Sequence, residues 1–141
     1  MISQLTIFLG NEEGRLAAAT QALADADINM HSLNIAESAD YGILRIICDT
    51  PEAACAAMKA AGYQASLTPV VAVEVPNTKG GLAKLLAVLD KADINISYGY
   101  CFSLNQDTAV DVLKIKADNV ESLLEEAGFT IVAPADIYAV D

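Results

Sequence analysis

Basic residues are scarce in this sequence. Its 141 residues include 8 lysines and arginines against 19 aspartates and glutamates, so the formal net charge is −11. The deficit is spread along the chain, because the first 66 residues carry 3 bases and 8 acids and the rest carry 5 bases and 11 acids. The sequence therefore offers no basic patch for nucleic acid or for an anionic membrane, and we expect neither as a partner.

Cysteines and long apolar runs are also few. Cys48, Cys55 and Cys101 are odd in number, widely spaced and set among apolar residues, which is typical of buried thiols in a reducing compartment and not of a metal site. The N-terminus has no basic leader and its apolar run is interrupted, which predicts neither a signal peptide nor a membrane span. We expect a cytoplasmic protein.

An internal duplication dominates what the sequence does contain. Hydrophobic residues make up 54% of the chain, enough for a packed core. Four residues, Ala-Asp-Ile-Asn, occur at 26–29 and again 66 positions later at 92–95. The same offset aligns the segments 11–17 with 77–83 and 61–63 with 127–129. A repeat at a constant offset indicates two copies of one fold, with domains at residues 1–68 and 69–141 that meet at Pro69.

Hydrophobic periodicity predicts the elements of each copy. Leu5, Ile7 and Leu9 alternate as in a half-buried strand, whereas Leu82, Leu85, Leu86 and Leu89 follow a helical stripe. The first copy is predicted to contain a strand at 4–9, a helix from residue 15, strands at 28–37 and 42–48, a helix at 53–61 and a strand at 64–68.

This order, β-α-β-β-α-β twice over, is typical of ferredoxin-like domains. The fold class is α+β, with helices on one face of an antiparallel sheet and two such domains side by side. A pattern like that of the first strand returns at residues 136–140, which indicates either a surplus strand that covers a sheet edge or a frayed tail.

Two turns carry the candidate chemistry. Gly14 and Gly80 stand where a strand gives way to a helix, so the first helical N–H groups there lack internal partners and favour an anion. Asn11 and Asn77, three residues earlier, are either ligand contacts or residues that merely cap the helix or stabilise the turn. Neither a Gly-x-Gly-x-x-Gly nor a Walker motif occurs, so we expect no nucleotide and no cofactor.

The pattern Asn-x-x-Gly-x-Leu-Ala, then a helix, then Asp-Ile-Asn-Ile before a hairpin, resembles the ACT domain, a small amino-acid-binding regulatory module. The resemblance covers essentially the whole chain as a tandem pair. It implies that an amino acid lies between two paired ACT domains, held by the first turn of one and by the start of the second strand of the other. The positions implied are Asn11, Glu12, Gly14, Arg15, Leu16, Asn29, Met30, His31, Asn77, Thr78, Gly80, Gly81, Leu82, Asn95, Ile96 and Ser97.

Individual positions leave alternatives open. Arg15 replaces Gly81 of the other copy, so the two sites differ, and its side chain either pairs with a ligand carboxylate or is solvated. His31 faces the side of Asn29 and is either a ligand contact or an ordinary strand residue. At the constant offset Arg45 and Asp111 are counterparts of opposite sign, which suggests an ion pair that joins the two copies.

A regulatory function follows from the resemblance. It implies a non-catalytic allosteric protein that binds a free amino acid, forms a homodimer and acts on an enzyme or a transcription factor. No nucleophile stands with a placed histidine, which argues against catalysis. The main alternative is an adaptor that uses the same scaffold for protein contacts alone, and a small enzyme on this scaffold is a third.

Overall fold

The protein is described by a computed structural model that covers residues 1–10, 12–37, 40–103 and 105–137. It divides into two compact units. The first unit comprises Ser3–Thr68 with the described part of Pro134–Asp141, and the second comprises Met1–Ile2 with Pro69–Ala133. In the part of the chain that is described, no helix is long and apolar enough to span a membrane.

The first unit has the predicted ferredoxin-like order. Its sheet runs β2-β3-β1-β4, so β2 lies at the edge, and β1 pairs antiparallel with β3. Its elements are β1 (Ile2–Gly10), α1 (Arg15–Asp25), β2 (Met30–Glu37), β3 (Tyr41–Cys48), α2 (Pro51–Ala60) and the first part of β4 (Gln64–Pro76).

The second unit repeats that order, which confirms the predicted fold class. The later part of β4 pairs antiparallel with β6 and with the short β7, while β5 pairs with β6 and lies at the edge. Its further elements are α3 (Gly81–Lys91), β5 (Ile96–Ser103), β6 (Thr108–Ile115), α4 (Val120–Glu126) and β7 (Thr130–Ile131).

Each unit has its own apolar core between helices and sheet. In the first unit the alternating residues Leu5, Ile7 and Leu9 pack with Leu23 of α1 and Met58 of α2. In the second unit the equivalent layer contains Val71, Val73, Val75, Leu85, Leu89 and Leu124. The predicted helical stripe is only half buried, since Leu82 and Leu86 are exposed. The sheet alternation, and not the full stripe, therefore defines the core.

The duplicated landmarks are helix ends. The Ile28 N–H donates to Leu23 O and the Ile94 N–H to Leu89 O, both at 3.0 Å, which is the long hydrogen bond of a Schellman motif. Asp27 and Asp93 occupy the left-handed position of that motif, with φ of 62° and 55°. The Ala-Asp-Ile-Asn repeat therefore stops each first helix and sets the start of the following strand.

The two copies do not superpose at one constant offset. Glu37 pairs with Gly42 in the first hairpin, but Ser103 pairs with Ala109 in the second, so β6 lies one residue further along than the sequence offset implies. Leu44, opposite Ile7, is thus the counterpart of Asp111, opposite Val73. The prediction that Arg45 and Asp111 are counterparts is wrong, because a one-residue change of register moves a side chain to the other face of a strand.

Two further sequence expectations need correction. Of the surplus strand expected at 136–140, residues 136 and 137 belong instead to a helical turn, α5 (Pro134–Ile137), and residues 138–140 lie outside the described residues. Cys48 and Cys55 are buried as expected, whereas Cys101 is exposed. It lies on the edge strand β5, where apolar neighbours in sequence do not ensure burial.

Candidate functional site

The two turns that precede α1 and α3 have the same backbone. Gly14 and Gly80 are the N-cap residues, with φ of 80° and 81°. A Cβ at either glycine would meet nothing within 4 Å, so the left-handed backbone alone accounts for glycine there. Both copies therefore begin their first helix at a residue that has no side-chain acceptor of its own.

The helix N-terminus in the second unit leaves donors available. Gly81 N–H donates to Thr78 O at 3.1 Å and Lys84 N–H donates to Gly80 O at 3.0 Å. Between them, within the described part of the chain, the N–H groups of Leu82 and Ala83 have no acceptor. Free N–H groups and the positive end of the helix dipole together attract an anion such as a carboxylate.

Asn77 does not cap its own helix. Its side-chain Nδ2 donates to Gln106 O at 3.1 Å and its backbone N–H donates to Asp107 O at 2.8 Å. Both bonds tie the turn before α3 to the β5–β6 hairpin loop. The helix-cap alternative is thereby excluded for Asn77, whose side-chain oxygen stays available to a donor, while Asn11 lies outside the described residues.

The openings of the two edge strands share a β-bulge. Met30 pairs with Cys48 and Ser32 with Ile47, so His31 is an extra residue in β2. Ser97 is the extra residue at the same place in β5. A bulge breaks the alternation from which His31 was assigned to the side of Asn29. It also re-aims the side chains at these openings, which is common beside functional sites.

The proposed contacts at these openings are accessible. Asn29, His31, Asn95 and Ser97 are exposed, while Met30 and Ile96 are half-buried and pack against their cores. The Asn29 N–H donates to Asp49 Oδ1 at 3.1 Å, and the Asp49 N–H donates back to Asn29 O at 3.1 Å. This reciprocal pair fixes the backbone of the first opening and leaves the Asn29 amide group free to point outward.

The remaining predicted positions lie on the two turns. Glu12, Arg15 and Leu16 are exposed around the start of α1, and Thr78, Gly80 and Leu82 are exposed around the start of α3. Gly81 is buried, and a Cβ there would lie 2.4 Å from Pro76 O. Arg15 and Gly81 are therefore not interchangeable, since the backbone around Gly81 admits no side chain.

A cleft opens beside each turn, at equivalent positions of the two units. The cleft of the second unit has a volume of about 640 Å³ and is lined by residues that include Lys79, Lys84 and Phe129. The cleft of the first unit has a volume of about 500 Å³ and is lined by Phe8, Leu9, Gly10, Arg15, Tyr41, Gly62, Tyr63 and Gln64. Sequence reasoning missed most of these residues because they come from separate turns. The only signal was the repeated Ala-Gly-aromatic landmark, which contains Tyr63 and Phe129.

One charged residue stands apart from both clefts. Asp111 is 8% exposed on the helix-facing side of β6, and its burial raises the pKa of its carboxyl above the usual 3.8. Within the described residues its side chain has no hydrogen-bond or ion-pair partner. It occupies a core position, and its effect is on stability.

Duplicated ferredoxin-like units with matching glycine turns and bulged edge strands define a tandem of two small related domains. The chain belongs to the ACT domain family, because the family model described as an ACT domain pair matches residues 1–139. The resemblance inferred from the motifs is thereby confirmed.

Solved structures have a similar fold. Protein BT0572 from Bacteroides thetaiotaomicron is 38% identical, with a TM-score of 0.91, over 97% of this chain and 95% of that one. The ligand-free regulatory subunit of aspartate kinase from Thermus thermophilus is 17% identical, with a TM-score of 0.67, over 89% and 90% of the two chains. The same subunit from Thermus flavus is 17% identical, with a TM-score of 0.59, over 91% and 92%. The two kinase subunits show a shared fold alone, and no curated protein matches the chain.

Proposed function

We propose that this protein is a non-catalytic regulator whose two ACT domains, residues 1–68 and 69–141, bind a free amino acid. The observation that supports this most is the recurrence, in both units, of a helix that begins at a left-handed glycine and of a bulged, asparagine-led strand opening. A duplication that served packing alone would not need polar, exposed residues at both places.

An α-amino acid matches these groups chemically. Its carboxylate accepts from the N–H groups of Leu82 and Ala83 at the start of α3, and is favoured there by the helix dipole. Its ammonium group donates to asparagine side-chain oxygens, such as those of Asn77 and Asn95, and to backbone carbonyls at the edge-strand opening. The two ends of the zwitterion thus need the two kinds of feature that each unit provides.

The comparisons support a regulatory role. Membership of the ACT domain pair family and a fold shared with regulatory subunits of aspartate kinase favour control of another protein over catalysis. In this proposal the amino acid stabilises one conformation or assembly of a homodimer, and an enzyme or a transcription factor responds to that shift in population.

A thermal-shift screen against the twenty amino acids tests the proposal. A ligand at about 100 times its Kd stabilises the folded state by about 2.7 kcal/mol, which raises Tm by several degrees for a chain of this size. We expect such a shift with one amino acid or a small related group. No shift with any of them at millimolar concentration contradicts the proposal.

Paired variants then test the location of the site. Asn29→Ala with Asn95→Ala removes two exposed amides at the strand openings, and we expect the ligand-induced shift to disappear while the Tm without ligand changes little. Asn119→Ala is the matched control, because Asn119 is also an exposed asparagine and makes no side-chain cap bond to α4. A ligand shift that survives the double variant places the amino acid elsewhere.

An adaptor function has one specific observation in its favour. Leu33 and Ile35 on the edge strand β2 are 41% and 53% exposed, and a free sheet edge with apolar side chains favours protein contact. The double asparagine variant separates the two functions, because an adaptor retains its partner in a pull-down whereas a sensor loses its response to the amino acid.

A further inference from the structure

The cleft of the first unit differs from its counterpart in chemistry. It lies where β1 ends, α1 and β3 begin, and α2 leads into β4. Three of its lining residues are aromatic: Phe8, Tyr41 and Tyr63. The equivalent positions in the second unit are Glu74, Thr108 and Phe129. Two of the three aromatic positions, Phe8 and Tyr41, are therefore aromatic in the first copy alone and are not a by-product of the repeated fold.

Arg15 forms the charged side of this cleft. A Cβ built on Gly10 would lie 3.7 Å from both Nε and Nη2 of Arg15, so the guanidinium lies over the backbone of that glycine. Within the described residues, no carboxylate forms an ion pair with it. The other copy has Pro76 and Gly81 at the two positions, so it can neither hold nor accommodate an arginine in this way.

The aromatic walls are arranged to accept another ring. Phe8 and Tyr41 meet edge to face, with ring centroids 5.7 Å apart and planes inclined at 65°, and Tyr41 remains 42% exposed. Exposed aromatic faces beside a guanidinium form a binding surface for a planar apolar group that carries an anion. The volume of about 500 Å³ suits a small molecule.

The charge around the cleft selects the kind of anion. A single guanidinium matches one carboxylate in a bidentate pair. The preceding turn carries the exposed carboxylates Glu12 and Glu13, which repel a phosphate of higher charge. The chemistry thus favours a singly charged carboxylate.

We propose that this cleft binds a small aromatic carboxylate, with its carboxylate on Arg15 and its ring against Tyr41, Tyr63 and Phe8. Two sources share this chemistry: an aromatic amino acid and an aromatic acid without an ammonium group. The inference goes beyond the amino-acid site proposed above: the cleft shares Arg15 with the positions implied for that site but contains neither Asn29 nor Asn95.

Ligand-observed saturation-transfer NMR on the full chain tests this, with titration to obtain Kd. The probes are L-phenylalanine, 3-phenylpropionate, phenethylamine and L-leucine. We expect at least one of the first two to bind at millimolar concentration or below, and neither of the last two, which lack the carboxylate or the ring. Binding of 3-phenylpropionate identifies an acid without an ammonium group as sufficient, and binding of L-phenylalanine alone identifies an aromatic amino acid as the source. Failure of both aromatic carboxylates overturns the proposal, whatever the outcome of the amino-acid screen.

Variants assign the binding to the cleft. Arg15→Gln removes the charge, and Tyr41→Thr introduces the residue of the other copy. We expect each variant to raise Kd about tenfold or more, since Arg15→Gln removes a charge-assisted pair and Tyr41→Thr removes a ring contact. Lys59→Gln, which removes an exposed charge on α2 outside the cleft, leaves Kd unchanged. Binding that survives both cleft variants overturns the proposal.

Discussion

Replacement of Asp111 by leucine should stabilise the protein. Asp111 is 8% exposed and shares the helix-facing side of the sheet with Val73 and Leu113. Its structural counterpart in the first unit is Leu44, which is fully buried in that unit's core. The second unit thus has a carboxylate at a position where the first unit has an aliphatic side chain, and burial of that carboxylate without a partner is unfavourable.

The size of the gain follows from the transfer of a leucine side chain. Full burial of a leucine contributes about 1.5–3 kcal/mol, and removal of a poorly solvated charge adds to it. We expect Asp111→Leu to raise the free energy of unfolding by about 2–3 kcal/mol and Tm by roughly 5–10 °C. Asp111→Asn, which keeps the shape and removes the charge, should recover only the electrostatic part.

The pH dependence identifies the charge as the cause. The pKa of Asp111 is raised in the folded state above the usual 3.8, so the folded state holds this proton more tightly than the unfolded chain. The contribution of Asp111 to stability therefore falls as pH rises from 3.8 through the raised pKa, and the variants lack this loss. The advantage of both variants should be smallest near pH 4 and grow to a plateau at neutral pH.

Urea denaturation at a series of pH values, followed by circular dichroism, measures these differences, because effects of other groups cancel between variant and wild type. A Leu variant no more stable than the wild type, or an advantage that does not grow with pH, would refute the assignment of Asp111 to an unpartnered core position.

Three other predictions concern the backbone and the thiols. Gly81→Ala should lower the free energy of unfolding by about 1–3 kcal/mol, because its Cβ would lie 2.4 Å from Pro76 O. Arg15→Ala, at the equivalent position of the first unit, should change stability in urea little. Equal effects of the two variants would contradict the conclusion that only Gly81 lacks space for a side chain. Asp27→Gly and Asp93→Gly should each raise the free energy of unfolding by about 0.5–1 kcal/mol, since both residues have positive φ. The control Asp90→Gly, inside α3, should lower it. A loss of stability in both Asp27→Gly and Asp93→Gly would contradict the assignment of Schellman motifs. Cys101 should react with a thiol reagent in the folded protein while Cys48 and Cys55 react only after unfolding, and mass spectrometry that finds more than one fast label would contradict this.

The order of elements was predictable from sequence because period-2 and helical patterns are local. Leu5, Ile7 and Leu9 identify a half-buried strand without knowledge of its neighbours, and the in-register repeat of Ala-Asp-Ile-Asn extends the assignment to the second copy. The exposed Leu82 and Leu86 limit this reasoning. A helical stripe predicts which side of a helix faces the sheet but not how far the sheet extends beneath it.

The parts that could not be predicted depend on pairing between separate segments. The extra residue in the β5–β6 hairpin is compensated before Gly128, so the overall offset gives no sign of it, and Asp111 was matched to Arg45 in place of Leu44. The sequence likewise contains no pattern that predicts the bulge at His31. Asn77 was predicted to act at its own turn or at a ligand, yet its amide donates to Gln106 O in a loop 29 residues away.

The candidate site was predictable only in part for the same reason. The glycines at the helix starts carry a local signal, since each needs positive φ. The first unit's cleft combines three turns that are distant in sequence, and its aromatic residues have no repeated pattern that would group them. The two bulges and the reciprocal bonds between Asn29 and Asp49 likewise depend on which strand lies alongside.

The compensated insertion in the second hairpin governs how parts of the two copies can be exchanged. A chimera that grafts residues 108–115 in place of 41–48 keeps every inward-facing position inward, because β6 and β3 then share their pleat. A graft chosen from the apparent repeat, residues 107–114, turns the strand over. Val110 and Val112 then take the places of the inward-facing Leu44 and Ile46, and Asp111 and Leu113 take the places of Arg45 and Ile47 on the opposite face. Module shuffling within this chain must therefore follow the hydrogen-bonded ladder and not the spacing of its repeated motifs.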